Sequence, residues 1–209
     1  LACAVRLKEQ DKNISVAVVE ADARAGRKLA ATGNGQGNLS NAEMTAEHYH
    51  GSGARLAEKL CCSGAYDPLS LFDFIFCKDK LGRIYPAGKQ ASALSDCLLR
   101  KASALGVQLL VSSPVTAIKR GYELTVSGGN KICSDYGVLA AGGKAQKQFN
   151  TDGASFALAK SLGHTVTPLH PSLVQLKCDT AYIKTLKGIR AECGVTAFDG
   201  DGNMLAKTC

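Results

Sequence analysis

The sequence predicts an α/β chain with a parallel sheet, a small antiparallel meander and the start of a β-rich second unit. Three observations carry that prediction. Residues 14–19 form an apolar, β-branched run (Ile14, Val16, Val18, Val19) that follows a helical opening and ends on the acid Glu20. Residues 92–105 have helical apolar spacing and lead into a second apolar run at 107–111. Residues 115–119, 122–127 and 131–134 are short β-patterned segments broken by Arg120-Gly121 and Gly128-Gly129-Asn130.

Taken in order, the opening LACAVRLKEQ puts Leu1, Ala2, Ala4 and Val5 on one apolar face, so the chain starts in a helix already under way. The strand at 14–19 follows, and then a long loop rich in Gly, Asn and Arg up to Asn41. Residues 54–62 suit a short helix. Residues 66–77 hold the dense aromatic run LFDFIF, which suits a buried strand or a helix end, and LGRIYPAGKQ reads as a short strand and turn. The clearest helix is 92–105. Leu94, Cys97, Leu98, Ala102 and Leu105 share a face, Ser92 is the expected N-cap, and Gly106 closes it. Residues 136–140 read as one more apolar strand running into Ala141-Gly142-Gly143. Asp152-Gly153 opens a helix over 154–162 that Gly163 stops. Pro168 and Pro171 mark a crossing segment, the texture changes after Leu176, and GVTAFDGDGNMLAK patterns as a hairpin. Two domains are expected, 1–172 and 173–209.

Composition narrows the function classes. Hydrophobic residues make up 45% of the 209, enough to build a core. No run approaches the roughly 18 apolar residues that span a bilayer, and no signal-peptide pattern is present, so a cytoplasmic protein without a membrane partner is expected. The net charge of +7 is spread along the chain with no dense basic block and no Trp. A nucleic-acid partner is therefore not expected, whereas an anionic small ligand suits the balance. Nine cysteines stand at 3, 61, 62, 77, 97, 133, 178, 193 and 209 without a C-x-x-C pair. Most are expected in the core, with Cys61-Cys62 a vicinal pair on a helix. His48, His50, His164 and His170 show no metal spacing.

A strand that ends in a carboxylate after an opening helix is how a dinucleotide-binding βαβ unit sets an acceptor on a ribose hydroxyl. The loop beyond supplies a guanidinium, amides and flexible backbone for a pyrophosphate or a ring edge. In such a unit the acid lies about 20 residues past the glycine turn. Glu20 meets that distance if the last glycine precedes Leu1, so the chain is expected to be a piece of a longer protein cut inside its phosphate-binding turn.

GRKLAATGNGQGNLSN, GRIYPAGKQASAL, VLAAGGK followed by TDGASFALAKSLGHT, and PLHPSLVQL leading to LKGIRAECGVT occur in that order. Together they resemble the HI0933-like flavoproteins, which include aminoacetone-oxidase-like and BaiN-like proteins. The resemblance implies a partial FAD- or NAD(P)-binding Rossmann-like domain of the glutathione-reductase type, with an inserted β-rich substrate domain beginning near the end of the chain. It implies FAD as cofactor and an oxidoreductase acting on a small organic, possibly amine, substrate. By that analogy Glu20 binds the adenosine ribose. Gly26, Arg27 and Lys28 lie along the cofactor, and Gly33, Asn34, Gly35 and Asn38 approach the flavin. A strand ending near Val115 offers backbone to the adenine, Ala141, Gly142 and Gly143 pack where strand meets cofactor, and Asp152 opens a helix facing it.

Two departures stand out. The family's usual Arg-Cys in the first of these motifs is Gln36-Gly37, and Ala141 stands where Thr is frequent. No catalytic acid or base emerges, since paired carboxylates and a Cys-His constellation are both lacking. The alternative is a non-catalytic truncated fragment or paralogue of such a flavoprotein.

Overall fold

The structure, a computed structural model, describes residues 1–61, 67–171, 177–186, 189, 191 and 193–208. It divides into two units, 1–167 and 168–209.

The first unit opens with helix α1 (Ala2–Gln10), whose Ala4 and Val5 are buried as the sequence periodicity predicts. Its end is tied down by Lys8, a buried lysine whose Nζ donates to the carbonyls of Lys12 at 2.6 Å and Ile14 at 3.0 Å. Those bonds satisfy the ammonium away from water and turn the chain into strand β1 (Ala17–Val19).

Helix α2 (Arg27–Ala30), strand β2 (Ser40–Asn41) and helix α3 (Ala54–Cys61) follow. Strand β3 (Phe76–Lys78) and strand β4 (Arg83–Pro86) join β2 in an antiparallel sheet of order β2-β4-β3. The aromatic run is neither one buried strand nor a helix end. A 3-10 turn spans Pro68–Leu71, Leu71 and Phe72 are buried, and Ile75 is 82% exposed before β3 begins. Asp67, ahead of the aromatics, accepts from the Leu69 N–H at 2.9 Å and caps that turn. Tyr66 lies outside the described residues, as does Cys62 of the vicinal pair.

Helix α4 (Ala91–Ala104) is the spine of the core. Leu94, Cys97, Leu98 and Ala102 are buried against Ala4, Val5, Leu71, Phe72 and Val107. Its N-cap is Gln90, with no side-chain cap. Ser92 is already inside the first turn, where its carbonyl accepts from the Ser95 hydroxyl at 3.0 Å, so the expected serine cap is corrected. At the far end Gly106 takes φ +73, and Val107 N–H returns to the Ala102 carbonyl at 2.9 Å. That closure delivers strand β5 (Gln108–Leu110) parallel to β1, in register Ala17↔Gln108, Val18↔Leu109 and Val19↔Leu110. β5 is the one described partner of β1, so Val18 and Val19 are half-buried and Ala17 is exposed rather than buried.

The meander follows as predicted, with β6 (Val115–Lys119), β7 (Glu123–Val126) and β8 (Lys131–Cys133) antiparallel in sequence order. The strand expected at 136–140 does not form. Those residues run without a ladder partner among the described residues, with Tyr136 87% and Val138 69% exposed. An apolar run becomes a strand only when another backbone satisfies its N–H and C=O groups. Helix α5 (Ala154–Ser161) closes the unit, with Gly163 at φ +94 just beyond.

The expectation of mostly buried cysteines is also corrected. Among the described residues Cys97 is buried and Cys77 half-buried, while Cys3, Cys61, Cys133, Cys178 and Cys193 are exposed. They fall at helix ends, strand edges and loops, where an apolar neighbourhood in sequence does not translate into packing.

In the second unit, helix α6 (Thr180–Ile183) precedes the predicted hairpin of β9 (Val195–Phe198) and β10 (Met204–Thr208). Asp199 organises its turn by accepting from the N–H groups of Asp201 at 3.0 Å and Asn203 at 2.8 Å. Parts of the PLHPSLVQL and LKGIRAECGVT motifs lie outside the described residues, as does Leu176.

Candidate nucleotide-binding site

The parallel pair β1–β5 sets the site. In open α/β sheets ligands gather at the carboxyl ends of the strands. Here Glu20 directly follows β1, and its N–H donates to the Leu110 carbonyl at 2.8 Å. The chain then turns tightly. The Asp22 N–H donates to Glu20 Oε1 at 3.0 Å, and the Ser112 N–H donates to the Asp22 carbonyl at 2.9 Å. Glu20 is half-buried, with one carboxylate oxygen pinned by this turn and no hydrogen-bond donor for Oε2 among the described residues. The Ser113 N–H reaches the Glu20 carbonyl at 2.9 Å, which brings the start of β6 beside the same strand end. Val115 opens β6. No strand ends near it, because β5 stops at Leu110 and Ser112 (φ +50) and Pro114 turn the chain between the two.

Beyond Glu20 the loop carries its cations on α2. Gly26 (φ +83) starts that helix so close to α4 that an added Cβ would lie 2.8 Å from Ser95 Cβ. Arg27 and Lys28 then diverge. The Arg27 guanidinium bonds Asp22 Oδ2 at 2.8 Å and lies 5.7 Å from the Phe149 ring centroid. The Lys28 ammonium reaches the Ala141 carbonyl at 3.4 Å and forms no ion pair among the described residues. Lys28 Nζ lies against Gly142, whose φ of +82 is the conformation that favours glycine there.

Residues 141–156 fold back on themselves around this point. The Ser155 hydroxyl donates to the Gly142 carbonyl at 2.5 Å, and the buried Thr151 hydroxyl bonds the carbonyls of Ala145 and Gln146. Gly143 faces Phe156, and Asp152 Oδ1 accepts from the Ala154 N–H at 2.8 Å at the entry to α5. Asn150 Nδ2 donates to Asp22 Oδ1 at 2.8 Å. The hydrogen bonds from Asn150 and Arg27 hold the Asp22 carboxyl below the usual aspartate range against partial burial.

Glu20, Arg27 and Lys28 are thus joined to Ala141, Gly142 and the approach to Asp152, although more than a hundred residues separate the two stretches. Gly33, Asn34, Gly35 and Asn38 lie on the α4 and β4 side instead. Gly33 and Asn34 are left-handed at φ 57 and 54, and a Cβ at Gly33 would lie 3.1 Å from Tyr85 Cε1. Asn34, Gly35 and Asn38 are exposed at this loop's surface. Tyr85 is buried beneath it, with Arg83 over its ring at 5.9 Å.

The sequence reading missed Asp22, Phe149, Asn150 and Ser155. Asp22 carried one signal, an acid two residues beyond Glu20 and five before Arg27. The pairing of Asp22 with Asn150 across 128 positions has no signature in a single sequence. Among the described residues no group of three His, Cys, Asp or Glu side chains could hold a metal ion. No described helix is long and apolar enough to cross a membrane.

The sequence profile of the HI0933-like protein Rossmann domain matches residues 1–201. A 3-dehydro-bile acid delta(4,6)-reductase of Clostridium scindens is 32% identical over 206 residues, covering 96% of this chain and 50% of that protein. A ribosomal RNA dihydrouridine synthase of Haemophilus influenzae is 24% identical over 213 residues, covering 96% of this chain and 52% of that protein. The chain therefore spans about half the length of these curated relatives. A solved structure of 2-methyl-3-hydroxypyridine-5-carboxylic acid oxygenase in tetrameric form aligns at a TM-score of 0.36 and 19% identity, over 68% of this chain and 36% of that one.

Proposed function

The chain belongs to the HI0933-like protein family, and from that membership we propose that it is the FAD-binding part of an oxidoreductase acting on a small organic substrate. The observation that carries the reading is Glu20, a carboxylate at the end of a parallel strand with one oxygen fixed by the Asp22 N–H and the other without a donor. That acceptor suits a ribose diol. The Lys28 ammonium, held over a glycine-lined backbone and unpaired with any described carboxylate, suits a phosphate. These residues therefore fit the adenosine diphosphate portion of FAD. When bound, the flavin supplies the hydride and electron chemistry. The chain's own part is to accept the ribose hydroxyls at Glu20, to balance phosphate charge at Lys28 and to give close backbone approach at Gly142.

The name of the Clostridium scindens relative, a 3-dehydro-bile acid delta(4,6)-reductase, supports both a redox reaction and a small organic substrate. Titration of the purified chain with FAD tests the reading. Quenching of flavin fluorescence is expected to saturate, and Glu20→Gln is expected to weaken binding about tenfold or more, the scale of one charge-assisted hydrogen bond. Affinity unchanged in Glu20→Gln, or no binding by the unaltered chain, overturns it.

The second reading is a non-catalytic chain. The exposed Tyr136, Val138 and Leu139 on a segment without a described ladder partner favour it. A colourless, aggregating preparation would select it.

A further inference from the structure

We infer that Asp22 is a positioning residue that clasps the 145–151 segment to the strand end, and that it withdraws Arg27 from ligand contact to do so. The inference rests on the FAD reading for its functional meaning and on geometry for the clasp itself.

Asp22 is held from both sides. Its backbone belongs to the turn at the end of β1, with its N–H on Glu20 Oε1 and its carbonyl on the Ser112 N–H. Its two carboxylate oxygens have separate partners, Asn150 on Oδ1 and Arg27 on Oδ2, both at 2.8 Å. The side chain is 17% exposed, so both bonds are partly shielded from competing water.

The clasped segment is one that local preference does not hold by itself. Gln146 (φ 61) and Asn150 (φ 55) are left-handed non-glycine residues at either end of a single 3-10 turn, Lys147–Phe149. A glutamine keeps that conformation only when its surroundings over-determine it, while asparagine adopts it more readily. Asn150 gains the Asp22 bond, Phe149 lies against the Arg27 guanidinium, and Thr151 seals the turn from inside.

The segment joins two stretches of the proposed site, Gly142 beside Lys28 and Asp152 at the start of α5. Releasing it would loosen both. The same geometry divides the labour between adjacent cations. Arg27 is neutralised by Asp22 and faces an aromatic ring, which leaves Lys28 to meet phosphate.

The test is a double-mutant cycle read two ways, by FAD affinity and by hydrogen exchange of peptides over 145–151. Asp22→Asn, Asn150→Ala and Arg27→Gln are each expected to weaken FAD binding about threefold to tenfold and to speed exchange at 145–151. Pairs are expected to do no more than the worse single variant. Asp22→Glu, which keeps both acceptors, is expected to recover most of the affinity. Lys28→Gln is expected to weaken FAD binding without changing exchange at 145–151. The inference fails if exchange at 145–151 is unchanged in Asp22→Asn. It also fails if Arg27→Gln lowers affinity as much in the Asp22→Asn background as alone, because Arg27 would then touch the ligand directly. If the unaltered chain binds no FAD, the FAD reading falls. The exchange cycle then decides the clasp by itself, with faster exchange in all three single variants supporting it and unchanged exchange overturning it.

Discussion

Gly37 lies against α4 so closely that an added Cβ would stand 2.7 Å from Leu94 Cδ1 and 3.1 Å from Ala91 Cα. Its φ of +82 is a conformation that L-residues resist, so two constraints act on one position. This is where the resembling flavoproteins usually carry Cys. In this chain the Leu94 methyl and the Ala91 backbone leave no space for a side chain at this position. Gly37→Ala is expected to destabilise the chain by about 2–4 kcal/mol, from the left-handed strain together with overpacking against backbone. Chemical denaturation measures it. Gly35→Ala is the comparison, since Gly35 has φ +84 with open space around its missing Cβ and should show the conformational part alone.

Leu94 itself is fully buried at the centre of the core that joins α1, α4 and the Leu71-Phe72 segment. Leu94→Ala removes three carbons from a closed site and is expected to cost about 2–5 kcal/mol, read as a lowered denaturation midpoint. The same substitution at Leu56, 61% exposed on α3, is expected to shift stability by less than about 0.5 kcal/mol.

These two positions show what was legible. Leu94, Cys97, Leu98 and Ala102 were readable because a helix repeats its buried face every three to four residues, whatever it packs against. The glycine closure at 106 and the strand after it were readable for similarly local reasons. Residues 136–140 were not, because a strand exists only with a partner backbone, and partnership is a property of the fold rather than of the segment. The candidate site divides the same way. Glu20, Arg27 and Lys28 lie within one loop and could be grouped from sequence. That loop meets Ala141 through Lys28 and Asn150 through Asp22, contacts between distant residues that no local pattern encodes.

Lys28 provides a third prediction. Its ammonium is exposed, near the Ala141 carbonyl, and unpaired with any described carboxylate. A cation meeting phosphate at the surface is screened by salt. FAD affinity is therefore expected to fall as ionic strength rises, and Lys28→Gln is expected to lower affinity about tenfold at low salt and to flatten the salt dependence. Fluorescence titrations at several salt concentrations check both. The same steep salt dependence in Lys28→Gln would assign the phosphate contact to another cation.

Glu123 gives the meander its pH dependence. On β7 it faces Lys131 on β8, Nζ to Oε1 at 3.1 Å, and Lys119 on β6 at 3.7 Å, so one carboxylate ties three strands. The adjacent Lys131 ammonium, and after it that of Lys119, hold its carboxyl below the ordinary value of 4.5, against partial burial. A group whose folded pKa is depressed adds stability above its unfolded value and loses that contribution as pH falls through the folded value. Hydrogen-exchange protection of peptides over 115–133, corrected for the intrinsic pH dependence of exchange, is therefore expected to be steady above about pH 5 and to fall as pH drops below 4.5. Glu123→Gln cannot titrate there. It is expected to start with weaker protection and to lose less of it over the same interval. Equal losses in the two proteins would move the acid sensitivity of this sheet to another carboxylate.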